Sequence, residues 1–387
     1  MIKKIIFFTE VHFLKWDYQR FGIEILERNG FQVEVYDFTP LLNKNFYKKI
    51  KIPDPIVWSG HHVFHTKKKA LETLSKLKDD CFVIFLMVPR IDLFFLFKVI
   101  SKNKIFYGFF ACNSTPMINC KKIFARKLYE RFRDINFLKI KNKFLSFFPW
   151  RLFCIMPANL VFAGGRESTW LRFPVDEKSK IIWAHASNYD RYMEERLDIS
   201  VESHKNFFVF LDEFYPFHPD YFFHGITPKI SPNEYYSLLC IFFDYIEKMY
   251  NISVIIAVHP RSDYENKPDY FHGREIVKNK TASLVKNAVA VICHASSSID
   301  YAVLFEKPLI FVTTDKLNKS YIANYIEILT ECLGKRAVNI EKEINLSKNE
   351  FEINREKYSE YKNKYIKKDG TEDLPIWQIV ANSIKKI

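Results

Sequence analysis

The sequence has little glycine, no paired cysteine motif and no long uninterrupted apolar run. Its 387 residues include 10 glycines, which argues against repeats, collagen-like segments and long flexible linkers. Seven cysteines are scattered without a CxxC pair, so we expect reduced thiols in a cytosolic protein. No apolar stretch approaches the roughly 20 residues that span a bilayer. The opening segment MIKKIIFFTEVHF therefore predicts a first strand rather than a signal peptide.

Positive charge and aromatic residues are abundant. The net charge is +13 and aromatics make up 17% of the residues. Segment 120–151 concentrates both, with ten basic residues against two acidic ones, interleaved with large apolar side chains. This composition suits an anionic membrane surface, while a core helix with a solvated basic face is the alternative. No nucleic-acid motif accompanies the charge, so nucleic acid is not an expected partner.

The apolar runs alternate with helical patterns in two halves. Strands are predicted at KIIFFTE, QVEVYDF, CFVIFLMV, KIFYGFFA, NLVFA, SKIIWAHA, NFFVFLDE, SVIIAVHPR, VAVICHA and PLIFV. We therefore expect an α/β protein with two Rossmann-like, doubly wound domains facing a central cleft. The first domain is placed at 1–190 and the second at 205–375, joined by a polar connection at 187–205. A helix at 376–387 is expected to cross back to the first domain.

Polar groups follow four apolar runs of the second half. They are Asp212-Glu213, His259-Pro260-Arg261, His294 and Ser296 to Ser298. If the sheet is parallel, the carboxyl ends of its strands meet at one edge, where such sheets bind ligands. We therefore expect these groups to line one binding site, together with Thr281 ahead of a predicted helix.

Three consecutive serines open a predicted helix in VAVICHASSSIDYAVLFEKPLIF. A helix N-terminus offers free N–H groups and positive potential, and serine hydroxyls donate to phosphate oxygens. Capping needs only one hydroxyl, so Ser296, Ser297 and Ser298 indicate a phosphate site. Beside them, His259 and Arg261 of the HPR strand end could neutralise a departing phosphate. The alternative for HPR is a structural strand end.

A general base is left open among several residues. Asp212 is the first choice, and Glu10 and His12, after the first strand in TEVH, are the reserves. Adjacent carboxylates on a strand point to opposite sides, so Asp212 and Glu213 are not expected to form a like-charge pair. Glu213 and His218 are predicted to contact substrate.

Residues 252–312 resemble the C-terminal half of GT-B glycosyltransferases that use cytidine-nucleotide donors. The resemblance rests on two motifs, HPR and the serine segment about 35 residues later. Bacterial sialyltransferases, Kdo transferases and CDP-glycerol glycerophosphotransferases share a His-Pro strand end followed by a Ser-Ser helix start. The glycerophosphotransferase pattern is matched by Ser296 or Ser297 with Asp300, Tyr301, Ala302, Leu304, Lys307 and Pro308. The acidic-acidic-Gly motif of sialyltransferases has no match here, because Phe214 follows the acidic pair.

The resemblance implies an inverting glycosyltransferase that moves an acidic sugar, of nonulosonic acid or Kdo type, from a CMP-linked donor to a surface glycan. It implies that His259 and the serines meet the donor phosphate. No Asp-x-Asp occurs in the chain, and the histidines of GHHVFH lack a nearby acidic or Cys partner, so no metal and no cofactor are expected. We expect the protein at the inner face of the cytoplasmic membrane. A CDP-polyol phosphotransferase, a nucleotide-sugar epimerase and a non-catalytic assembly protein are the alternatives.

Overall fold

The computed structural model describes residues 1–49, 56–113, 115–116, 150–169, 173–198, 206–218, 221, 227–342, 344 and 346–387. The basic segment 120–151 lies outside the described residues apart from 150 and 151. The chain forms two compact units: among the described residues, those of 1–113, 150–187 and 367–387 belong to the first, and those of 115–116 and 188–366 belong to the second. The return to the first unit thus begins ahead of the C-terminal helix.

In its described part, the first unit contains a seven-stranded parallel sheet of order β3-β2-β1-β4-β5-β6-β7. Its strands are β1 (Lys4–Thr9), β2 (Gln32–Asp37), β3 (His61–Val63), β4 (Cys81–Phe85), β5 (Phe106–Ala111), β6 (Leu160–Ala163) and β7 (Lys180–Trp183). Its helices are α1 (Lys15–Arg20), α2 (Ile23–Arg28), α3 (Thr39–Leu42), α4 (Lys44–Lys49), α5 (Lys67–Leu74) and α6 (Phe94–Lys102).

The second unit, in its described residues, contains a six-stranded parallel sheet of order β10-β9-β8-β11-β12-β13. Its strands are β8 (Phe207–Leu211), β9 (Ser253–Val258), β10 (Ile276–Lys278), β11 (Ala290–Cys293), β12 (Leu309–Thr313) and β13 (Ala337–Asn339). The helices are α7 (Ser187–Leu197), α8 (Pro232–Tyr250), α9 (Thr281–Asn287), α10 (Ile299–Leu304), α11 (Ile322–Leu333), α12 (Lys348–Phe351), α13 (Arg355–Tyr361) and, returning to the first unit, α14 (Ile376–Ile384).

Alternate residues of β1 enter two different cores, one on each face of the first sheet. Ile6 and Phe8 pack with α5 and α6, whereas Ile5 and Phe7 pack with α2 and α14. This is the two-residue period of a strand, and it requires helices on both faces. Two parallel sheets covered by helices confirm the predicted fold class.

Gly22 separates the helices α1 and α2. It adopts a φ of +55°, and a Cβ there would lie 2.1 Å from Cδ1 of Trp377. Glycine takes this left-handed conformation at little cost, so the chain breaks between α1 and α2 and makes room for the indole. Nε1 of Trp377 donates to the carbonyl of Arg20 at 2.7 Å, which fixes α14 to this corner.

Short edge elements differ from the sequence expectation. Residues 61–63 of the GHHVFH segment form β3, which the sequence analysis does not predict as a strand. The polar connection at 187–205 begins with a helix, α7. The edge strands β3, β10 and β13 have three residues each, too few to show a two-residue apolar period. Within the described residues, no helix combines the length and apolarity needed to cross a bilayer.

Candidate functional site

The candidate site lies at the carboxyl edge of the second sheet, where the strand order reverses. Chain order runs from β8 to β9 and β10 on one side, and from β11 to β13 on the other. A reversal of this kind leaves a crevice between the two central strands, here β8 and β11, and doubly wound sheets bind ligands there. Asp212 and Glu213 follow β8, and His294 with the three serines follows β11.

Asp212 links the end of β8 to the end of β9. Its side chain is 4% exposed. Its carboxylate accepts from the backbone N–H of Phe214 at 3.0 Å, the hydroxyl of Tyr264 at 2.9 Å and the backbone N–H of His259. Burial raises the pKa of Asp212 to about 7. A buried carboxylate with three donors cannot approach an acceptor hydroxyl, so the expectation that Asp212 is the general base is not retained.

Glu213 reaches the opposite neighbour, β11. Its Oε1 accepts from the backbone N–H of Ala295 at 2.7 Å, and the carboxylate also accepts from the N–H of His294. Burial raises the pKa of Glu213 to about 7, and the Asp212 charge adds to the rise. The two consecutive carboxylates thus bind different neighbours of β8: Asp212 binds the chain that follows β9, and Glu213 binds the chain that follows β11, just ahead of the serines.

His259 is held as a neutral imidazole with a defined tautomer. The backbone N–H of Arg261 donates to Nδ1 at 3.1 Å, so the proton of the neutral ring is on Nε2. Burial lowers the pKa of His259 to about 3, and the nearby charges of His218, Arg261 and Lys278 lower it further. The His218 ring centroid lies 4.8 Å away. A ring N–H among these cationic groups forms a positive corner that suits a phosphate oxygen.

His294 makes hydrogen bonds inside the protein with both ring nitrogens. It is fully buried. Its Nδ1 donates to the carbonyl of Val312 at 2.7 Å, so Nε2 accepts from the Tyr235 hydroxyl at 2.9 Å. Burial lowers the pKa of His294 to about 4. A donor-binding role for His294 stays a prediction, and it would require one of these two hydrogen bonds to break.

The serines divide into one structural and two outward-facing residues. The backbone N–H of Ser298 donates to Oγ of Ser296 at 3.2 Å. Ser298 is the N-cap of α10, and its hydroxyl makes no capping hydrogen bond there. Ser297 is exposed. Two of the three hydroxyls are therefore not used for capping. Thr281 is the first residue of α9, which follows the edge strand β10, so it lies two strands away from the central strand β8.

Asn188, Asp300 and Tyr361 hold the serine turn by hydrogen bonds, and no local sequence motif predicts this set. Nδ2 of Asn188 donates to the carbonyl of Ser297 and to Oδ2 of Asp300, both at 3.1 Å. The Tyr361 hydroxyl also hydrogen-bonds Asp300. Asn188, Asp300 and Tyr361 all belong to the second unit, so the serine turn is held by residues from three separate parts of that unit.

Replacing Asp300 by asparagine should flatten the dependence of stability on pH. Burial raises the pKa of Asp300 to about 7, above its unfolded value, so its contribution to folding is lost as pH rises through 7. Asparagine does not titrate and still accepts from Asn188. We expect Asp300→Asn to gain about 1–2 kcal/mol relative to wild type between pH 5 and pH 9, as the carboxyl is not fully shielded from solvent. Parallel melting curves for the two proteins across this range would contradict this assignment.

In the first unit, the reserve bases follow β1 at the corresponding reversal. Glu10 is engaged in a bidentate ion pair with Arg90, whose Nη1 lies 2.6 Å from Oε1, and Nδ2 of Asn43 donates to Oε2 at 3.3 Å. His12 is buried, and its ring packs 5.0 Å from that of Tyr47. Glu10 is therefore a structural carboxylate at the β1–β4 reversal.

Comparisons with known proteins give a fold. No protein-family model matches the chain, and no curated protein matches it. Among solved structures, the calicheamicin glycosyltransferase CalG4 is similar with a TM-score of 0.52 at 10% identity, over 100% of this chain and 98% of that one. UDP-GlcNAc 2-epimerase from Methanocaldococcus jannaschii gives 0.49 at 13%, covering 100% of both chains. The wall teichoic acid polymerase TagF gives 0.46 at 12%, over 99% and 88%. The likeness to CalG4 shows the fold, two Rossmann-like domains of the GT-B type.

Proposed function

We propose that the protein is an inverting, metal-independent GT-B glycosyltransferase that moves an acidic sugar from a CMP-activated donor to a surface glycan. One observation carries the proposal: the His259 ring N–H and the Ser297 hydroxyl belong to strand ends on either side of β8, at the edge where its sheet reverses. CalG4, a glycosyltransferase, has the same fold. The CMP donor rests on the sequence resemblance of the HPR and serine segments.

The reaction requires a charge-neutralising group for the leaving phosphate. The bond between the anomeric carbon and the phosphate oxygen breaks, the acceptor oxygen bonds to that carbon and loses its proton, and CMP leaves. Because the pKa of His259 is about 3, His259 serves as a neutral hydrogen-bond donor rather than as an imidazolium. Arg261 and Lys278 supply positive charge beside it, and the exposed Ser297 hydroxyl completes the phosphate contacts.

The absence of a metal-binding motif supports metal independence, and the hydrogen bonds of the candidate residues decide which of them can be the general base. The sequence contains no Asp-x-Asp, and the cationic corner around His259 can take the role of a divalent ion. Of the three residues considered as base, Asp212 and Glu10 are held by internal donors. His12 is the candidate that we retain, and His12→Gln should lower the maximal rate without weakening nucleotide binding.

Cytidine nucleotides should raise the melting temperature more than uridine or guanosine nucleotides do. A ligand at 100 times its dissociation constant adds about 2.7 kcal/mol to the free energy of unfolding, which a thermal-shift assay resolves. CMP, CDP, UDP and GDP would be compared with inorganic phosphate as the control for charge alone. Equal shifts for all nucleotides would reject the cytidine donor, and no shift would reject the nucleotide site.

Product analysis separates this proposal from its rivals. With an acceptor present, a glycosyltransferase forms a glycoside and releases CMP. A CDP-polyol phosphotransferase also releases CMP, but its product contains a phosphodiester. An epimerase turns over without acceptor, and a non-catalytic assembly protein keeps its cellular function when His259 is lost. Mass spectrometry of the product with matched donors therefore identifies which reaction occurs.

A further inference from the structure

We propose that a surface built on α6 of the first unit docks on an anionic lipid bilayer. This inference concerns a partner and does not depend on the proposed reaction. The surface, here called the apolar-basic face, consists of Ile91, Phe94, Phe95, Leu152, Phe153, Lys67 and Lys98.

The apolar part of this face combines three exposed side chains with the half-buried rings of Phe94 and Phe95. Leu152 is 78% exposed, and Ile91 and Phe153 are 38% exposed each. The ring of Phe153 meets the edge of Phe94 with centroids 5.3 Å apart, which joins the turn at residues 150–153 to α6. Exposed leucine and phenylalanine side chains in one group mark interaction surfaces more often than isolated ones do.

Helical spacing places the charged and aromatic residues on the outer side of α6. Ile91, Phe95 and Lys98 follow one another at intervals of four and three residues, the spacing of one helix face. The opposite side consists of Leu96, Phe97 and Ile100, all fully buried in the first core. The outer side is thus amphipathic in composition: Phe94 and Phe95 are half-buried against the edge of the core, whereas Ile91 and Lys98 are exposed.

Lysines lie directly over the aromatic rings of the face. Nζ of Lys98 is 5.4 Å from the Phe94 centroid, and Nζ of Lys67 is 4.9 Å from that of Phe95. Such side chains can extend their ammonium groups to lipid phosphates while their stems and the rings below enter the interface. The acidic residue on this helix start, Asp92, is paired with Arg90 at 2.8 Å, so the lysines dominate the local charge.

Charge identifies the occupant as an anionic bilayer. A second copy of this chain would bring lysines against lysines, which is unfavourable. An anionic leaflet attracts each Lys or Arg near its surface. Lys67 and Lys98 are both exposed, so their ammonium groups are available to such a leaflet.

Vesicle flotation tests this inference. The full-length protein should float with vesicles of phosphatidylcholine and phosphatidylglycerol, should remain in solution with phosphatidylcholine alone, and should be released by salt. Lys67→Gln with Lys98→Gln should weaken partitioning about fivefold per lysine, because each contributes about 1 kcal/mol. Leu152→Glu with Phe153→Glu should weaken it further, since two apolar side chains and their insertion are lost.

Matched variants in the second unit provide the controls. Ile241→Glu with Met249→Glu replaces side chains that are 59% and 52% exposed on α8, and Lys342→Gln with Lys348→Gln removes two exposed lysines. Both controls should float like wild type. Wild-type flotation of the Leu152/Phe153 variant would overturn the inference, as would a failure of the intact protein to float. Concentration-dependent dimerisation abolished by the same variant would also overturn it, because the face would then bind a second copy.

Discussion

Replacing His259 by alanine should cut donor-dependent turnover on the order of 100-fold or more. It should cost only about 1 kcal/mol of folding free energy. The imidazole adds one hydrogen bond to the fold, from the Arg261 N–H to Nδ1, whereas its Nε2–H is proposed to meet charge that develops on the leaving phosphate. Removing a group of that kind affects the transition state more than the folded state.

The measurement compares turnover and melting curves for four proteins. They are wild type, His259→Ala, Ser297→Ala and the double variant, with His62→Ala as an exposed-histidine control. Since both side chains are proposed to serve one phosphate, the double variant should lose less than the product of the two single losses. If His259→Ala is fully active, or loses activity only in proportion to its folded fraction, the HPR strand end is structural.

The fold was predictable from the apolar runs because each long strand is a local signal. The apolar runs of β4 and β8 form fully buried strands, whereas the apolar run at residues 238–243 lies in α8, whose length of 19 residues marks it as a helix. The edge strands β3 and β10 were not predicted, because a strand of three residues is too short to show a two-residue alternation of apolar and polar side chains. The helix break at Gly22 was not predicted for another reason. The space at Gly22 is filled by Trp377, which lies more than 350 residues away in the sequence.

The candidate site was predictable in position but not in detail. The sequence indicates where each chain segment leaves the sheet, so His259, His294 and the serines are found at the expected strand ends. It does not indicate which side chains turn inward. The ring nitrogens of His294 are used by Tyr235 and Val312, and both partners belong to other elements of the unit. Long-range partners of this kind leave no pattern around the residue that they bind.

Replacing Asp212 by alanine should destabilise the second unit by roughly 3 kcal/mol or more. The change leaves three buried donors without an acceptor: the N–H groups of Phe214 and His259 and the hydroxyl of Tyr264. Asp212→Asn should lose less unfolding free energy, because the amide keeps one oxygen acceptor. Some loss remains, since its NH₂ group faces at least one of the three donors. Chemical denaturation of both variants, with the midpoint compared at constant m-value, measures the two losses.

The pH dependence of this loss tests whether the Asp212 carboxyl is held protonated in the folded state, and turnover tests whether it is a general base. Burial raises the pKa of Asp212 to about 7, so the folded state holds a proton that the unfolded state releases near pH 4. The stability from that proton is present at low pH and is lost as pH rises through 7. The difference in melting temperature between wild type and Asp212→Asn should therefore be largest near pH 5 and should shrink toward pH 9. If Asp212 is a positioning residue, Asp212→Asn should also bind nucleotide more weakly, because the His259 strand end is less well held. Turnover identifies a general base: if Asp212→Asn binds nucleotide like wild type and yet loses nearly all turnover in its folded fraction, Asp212 is restored as the catalytic base.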